Sequence, residues 1–132
     1  METILVKETD LATLEVLTVA LQMKGYRVFS LPDEYENVLE IIRRQHARLV
    51  LLDCRLGRDA DKPITHWIKA HYPSLPLIAV SCDNNIGEEY HQLGFDGYLK
   101  KPFDLSLLYH TVRNFLHGRA NEKVNEVALP DN

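Results

Sequence analysis

Five short apolar runs, at 4–6, 26–31, 49–52, 77–80 and 98–99, alternate with segments whose apolar residues recur at helical spacing. The runs at 49–52 and 77–80 are apolar without a break, as strands covered on both faces must be. Asp10 stands where it can cap a first helix carrying Leu14, Leu17 and Leu21 on one stripe, closed by Gly25. Asp33 can cap a second, with Tyr35, Val38, Leu39 and Ile42. Ile64, Trp67 and Ile68 mark a third. Tyr90 and Leu93, ahead of Gly94, mark a weaker fourth, and Leu105, Leu108, Val112 and Phe115 a clear fifth. Strand followed by helix, five times over, predicts an α/β protein with a parallel sheet between two helical layers. Parallel neighbours need a right-handed crossover about a helix long, and the sequence supplies one after each strand. From Gly118 the periodicity fades, which predicts one domain over 1–117 and a polar C-terminal tail or linker over 118–132.

A chain of 132 residues has material for one compact core and no second one. Its net charge of −4 lacks the basic surplus of a protein that binds nucleic acid or an anionic membrane, so direct binding of either is not expected. Cys54 and Cys82 are too few for a disulfide scaffold and lack metal-site spacing; they read as small buried thiols. His46, His66, His71, His91, His110 and His117 form no two-histidine ligand motif and read as helix-surface residues. The sequence opens on its first strand with no basic and apolar leader, which predicts a cytoplasmic setting.

In an open parallel sheet, ligands bind beyond the carboxyl ends of the strands. The first strand here runs into Glu8, Thr9 and Asp10, the third ends at Asp53, the fourth at Ser81 and the fifth at Lys101-Pro102. The second ends at Leu31-Pro32 and suits an edge. Acids, a hydroxyl and an ammonium therefore meet on one rim. A carboxylate can attack phosphorus and form an acyl phosphate, and the transferring group needs positive charge around its oxygens. Lys101 and a cation held by the acids could supply that charge, and Ser81 could donate a hydrogen bond.

These residues carry a family resemblance over roughly 3–117. The pieces are Ile4-Leu5-Val6 before an acidic turn, Leu49-Val50-Leu51-Leu52-Asp53, Pro76-Leu77-Ile78-Ala79-Val80-Ser81, and the run from Gly94 through Lys101-Pro102 to Asp104. In this order they resemble the receiver domain of bacterial two-component response regulators. The resemblance implies a flavodoxin-like (βα)5 fold, a doubly wound five-stranded sheet of order 2-1-3-4-5. It implies a signalling protein that is not itself an enzyme. Asp53 would be the phosphoacceptor, Ser81 the switch hydroxyl, Lys101 the phosphate-pairing lysine, Tyr98 the switch aromatic, and Lys101-Pro102 a cis peptide. A Mg²⁺ ion would be held by Glu8, Asp53, the backbone carbonyl of Arg55 and Asp10. The implied partners are a histidine kinase or phosphotransfer protein and a downstream protein or fused output domain. The face of the fourth helix, fifth strand and fifth helix would change with phosphorylation and could pair two copies of the chain. Tyr90, His91, Tyr98, Lys100 and Leu107 are its expected markers.

The chain also departs from the pattern. Thr9 stands where the family usually has a second acid, which weakens the expected metal site by about 1–3 kcal/mol. Gly57 stands where proline is favoured, and the stretch between Ser81 and Lys101 is short by a couple of residues. A second reading follows: a degenerate receiver that binds partners independently of phosphorylation. A flavin-binding relative would need a phosphate-cradling, glycine-bearing loop after the first strand, where this chain has Glu8-Thr9-Asp10-Leu11. An acyl-phosphate hydrolase would want an acid at the position of Arg55.

Overall fold

A computed structural model describes residues 1–31, 38–57 and 63–118. The strands are β1 (Thr3–Lys7), β2 (Arg27–Ser30), β3 (Ala47–Asp53), β4 (Leu77–Ser81) and β5 (Gly97–Lys100). The helices are α1 (Leu11–Met23), α2 (Val38–Gln45), α3 (Ile64–His71), the single turn α4 (Ile86–Glu89) and α5 (Leu105–Arg113), which runs into a π-helical turn to Gly118. All strand pairs are parallel and the order is β2-β1-β3-β4-β5, as expected.

The unbroken apolar runs now have a cause. Successive strand residues point to opposite faces, and both faces are covered. Leu5, Val50, Leu52 and Ala79 pack with Ile41, Ile42, Ile68 and Ile86 in one layer. Ile4, Val6, Leu49, Leu51, Ile78 and Val80 pack with Leu17, Leu21, Leu108 and Val112 in the other. Among the described residues no helix is long and apolar enough to cross a membrane.

The motif ahead of β5 is structural at each position. Gly94 closes the turn after α4 with φ +96, a left-handed conformation that favours glycine. Phe95 is buried in the core. Asp96 accepts from the Leu77 backbone N–H at 2.8 Å and pairs with Lys69 at 2.7 Å, joining β4 to α3. Gly97 lets the Phe115 ring approach to where a Cβ would sit only 2.9 Å away.

Several expectations need correcting. Trp67 is exposed on α3, where Thr65 and Ile68 face inward. Cys82 is exposed while Cys54 is buried, and both thiols are free. His46 is not on a helix surface: at φ 55 it forms the left-handed link from α2 to β3. The fourth helix lies earlier than the Tyr90–Leu93 stripe suggested and lasts one turn; residues 90–94 follow as hydrogen-bonded turns. Asp33, Tyr35 and residues 119–132 lie outside the described residues.

Candidate functional site

The carboxyl ends of β1, β3, β4 and β5 bring Glu8, Asp53, Ser81 and Lys101 to one rim. Asp53 is opposite Val80 and Ser81 opposite Lys100 in the parallel register. The Lys101 N–H donates to the Ser81 carbonyl at 2.6 Å, just before the cis bond to Pro102. Asp53, Ser81 and Glu8 are all buried. An acid at a strand end is poorly hydrated there and must find donors within the protein.

Asp53 finds four. Its Oδ2 accepts from the Thr9 hydroxyl at 2.8 Å and from Arg55 Nη2 at 2.8 Å. Its Oδ1 accepts from the Arg55 backbone N–H at 3.1 Å and from Arg55 Nε at 3.3 Å. Arg55 Nη2 also donates to the Thr9 hydroxyl oxygen, closing a three-residue ring. Burial pushes the Asp53 carboxyl up, but the Arg55 side chain, its backbone N–H and the Thr9 hydroxyl outweigh it and hold the group below the usual carboxylate range. Asp53 in turn raises the Arg55 guanidinium.

The remaining groups are paired elsewhere. Lys101 Nζ donates to Glu8 Oε2 at 3.0 Å, and the same oxygen accepts from the Asp10 N–H at 2.9 Å. Glu8 Oε1 is buried without a hydrogen-bond partner. Ser81 Oγ accepts from the Asp83 N–H at 2.8 Å and keeps its own proton to donate. Asp10 occupies the N-cap position of α1. Its carboxylate takes the Thr13 hydroxyl, which holds it below the usual range. Among the described residues no three His, Cys, Asp or Glu side chains gather as a metal-holding group. Tyr98 points outward, its ring 5.1 Å from that of Tyr90, and its hydroxyl lies 3.0 Å from where a Cβ on Gly87 would be.

The rim thus unites the expected acid, hydroxyl and amine, but each side chain already has another partner. The guanidinium of Arg55 is not among the expected site groups, which include that residue's backbone carbonyl alone. The signal was a basic residue two positions after a strand-end acid, near enough to fold back on it.

The Asp53–Arg55 pair has a testable pH signature. A depressed folded pKa stabilises above the unfolded carboxylate value of about 4 and loses that contribution as pH falls through the folded value. The stability gap between the native chain and Arg55→Ala should stay level above about pH 5 and close in acid. Urea midpoints measured across that range check it, and a gap that persists unchanged in acid refutes the pair as its source.

A family model described as the response regulator receiver domain matches residues 4–113. The polar-differentiation response regulator DivK of Brucella ovis is 23% identical over 119 residues, covering 87% of this chain and 96% of DivK. NtrX from Brucella abortus, solved with ADP, superposes with a TM-score of 0.77 at 23% identity over 99% of this chain. The chain spans about a third (31%) of that protein. The receiver domain of the sensor histidine kinase PA1611 from Pseudomonas aeruginosa gives a TM-score of 0.71 at 26% identity, covering 87% of this chain and 97% of that one. That domain was solved with a magnesium ion coordinated in its active site cleft.

Proposed function

The chain belongs to the response regulator receiver family, and from that premise we propose that Asp53 accepts a phosphoryl group from a histidine kinase or phosphotransfer protein. The observation that carries the reading is a buried strand-end acid with Ser81 on the neighbouring strand and the Lys101 backbone N–H hydrogen-bonded to that strand's end. An Asp53 oxygen attacks phosphorus, a P–O bond forms, and the bond from phosphorus to the donor breaks with its electron pair leaving on the donor. Thr9 and Arg55 Nη2 already point donors at Oδ2, so they can follow the new phosphoryl oxygens. Ser81 turns its free proton toward the same group, and Lys101 exchanges Glu8 for it.

The resulting charge, about two negative units, alters the loop between Ser81 and α4. Tyr98 then turns from its outward position against Gly87 and Tyr90. The face of α4, β5 and α5, with Tyr90, His91, Tyr98, Lys100 and Leu107, is the partner surface in this reading. A downstream protein, a fused output domain or a second copy of the chain would read it. Partner affinity changes only as far as the partner distinguishes the two states. The chain acts here as a switch and not as an enzyme, with residues 118–132 as its tail or linker. Free thiols at Cys54 and Cys82 suit a reducing cytoplasm. The surviving acid, hydroxyl and amine do not favour a module indifferent to phosphorylation.

Magnesium, the family's cation, finds a poor donor set here. Asp53 has both oxygens engaged, Thr9 is neutral, and the Asp10 carboxylate is taken by Thr13. Only Glu8 Oε1, buried and unpartnered, speaks for it.

Incubation with acetyl phosphate, with and without MgCl₂, followed by intact mass measurement tests the acceptor. The native chain should gain one phosphoryl group and Asp53→Asn none. A folded native chain that gains nothing in either buffer overturns the assignment, as does equal gain by Asp53→Asn.

A further inference from the structure

We infer that Arg55, bridged by Thr9, takes the place of a divalent cation at Asp53, so that guanidinium and ion compete for one carboxylate. Each Asp53 oxygen accepts two hydrogen bonds, and three of the four donors belong to Arg55. A divalent ion binding this carboxylate must displace the side-chain part of that set. Mg²⁺, the ion used in the test below, demands several oxygens in near-octahedral array, preferably anionic ones. Thr9 contributes a neutral oxygen whose proton is already committed to Asp53 and one of whose two lone pairs takes Arg55.

Charge balance points the same way. Glu8 and Asp53 are matched by Lys101 and Arg55 through ion pairs of 3.0 and 2.8 Å, so the four side chains sum to zero. With Arg55 still paired, a divalent ion would raise the sum over these four side chains to +2, so ion and guanidinium cannot share Asp53 cheaply. Arginine suits the substitution because it does not lose its proton and its planar fork fits carboxylate and phosphate oxygens. The side chain is 66% exposed, so it can leave Asp53 without disturbing the core. Glu8 Oε1 does not demand an ion: the charge of Glu8 is met at Oε2, and the second oxygen needs only a hydrogen-bond donor. A phosphoryl group on Asp53 would then meet a tethered guanidinium first.

The inference concerns cation binding at the unmodified acid, so its failure reads separately from failure of the acceptor assignment. MgCl₂ added stepwise to the native chain, to Arg55→Ala and to Thr9→Asp/Arg55→Ala is followed by the backbone amide shifts of residues 8–10 and 53–55. The native chain should show no saturating shift into the tens of millimolar. Arg55→Ala should tighten the apparent Mg²⁺ affinity at least tenfold, and the double variant should tighten it further. Should Arg55→Ala lose its native spectrum, Arg55→Gln supplies the same comparison. Low-millimolar saturation of the native chain with the midpoint of Arg55→Ala would overturn the inference. So would silence in both variants, since removing the competitor must open the site.

Discussion

Replacing Lys101 by methionine should cost about 2–3 kcal/mol of stability, beyond any loss of phosphoryl uptake. The Glu8 side chain is 1% exposed, and the Lys101 ammonium is its only ion-pair partner among the described residues. Removing the ammonium leaves a buried carboxylate with the Asp10 N–H on one oxygen and no protein donor on the other. Breaking a buried pair from one side commonly costs 3–5 kcal/mol. The Lys101 side chain is 22% exposed, which lets water soften the loss and sets the lower figure. Neutralising both partners avoids the stranded charge. Glu8→Gln/Lys101→Met should therefore cost about 2 kcal/mol less than the two single changes summed. Urea unfolding at neutral pH checks the cycle, and additive single costs would show the pair to be screened. The double variant also separates two roles of the lysine. It should regain stability yet take up phosphoryl more slowly by at least about tenfold, because no ammonium faces the transferring oxygens.

That pair spans 93 residues, and neither periodicity nor composition can reveal it. What the sequence does reveal are features fixed by the backbone. Five strands with helical crossovers dictate parallel pairing, and parallel pairing puts every strand's last residue on one rim. Strand order and direction alone therefore bring Asp53, Ser81 and Lys101 to one rim. Their bonding partners are not fixed that way, because these depend on how side chains settle once the rim is assembled. Arg55 folds back on Asp53, Lys101 turns to Glu8, and Ser81 accepts from its own loop. Short elements were hard to read for a related reason. Ile64, Trp67 and Ile68 mark a helix but do not define its buried face: Trp67 is exposed and Thr65 takes the inward position. On the fourth crossover, Tyr90 and Leu93 showed helical spacing but belong to turns that follow a four-residue helix. A stripe that short cannot distinguish successive turns from a helix.

Gly94 shows a sequence signal whose physical content becomes clear only in three dimensions. Gly94→Ala should destabilise the chain by about 2–4 kcal/mol, from two separable causes. Its φ of +96 is a conformation that L side chains rarely adopt. A Cβ there would also lie 2.7 Å from Thr65 Oγ1 and 2.9 Å from Thr65 Cβ. Thr65 has little freedom to yield, since it is 1% exposed and its hydroxyl donates to the Leu93 carbonyl at 3.0 Å. Gly25 isolates the first cause: its φ is +91, yet a Cβ there meets nothing within 4 Å. Gly25→Ala should therefore cost only about 1 kcal/mol, the conformational part alone. Urea midpoints for the two variants measure the difference as the steric contact between the turn after α4 and the first turn of α3. Equal losses would assign the whole effect to the backbone and leave Thr65 without a part in it. A larger loss at Gly94 would mean that this turn is held against α3 by a close contact that only glycine permits. The same turn leads through Phe95 and Asp96 into β5, so the placement of Lys101 at the rim depends on it.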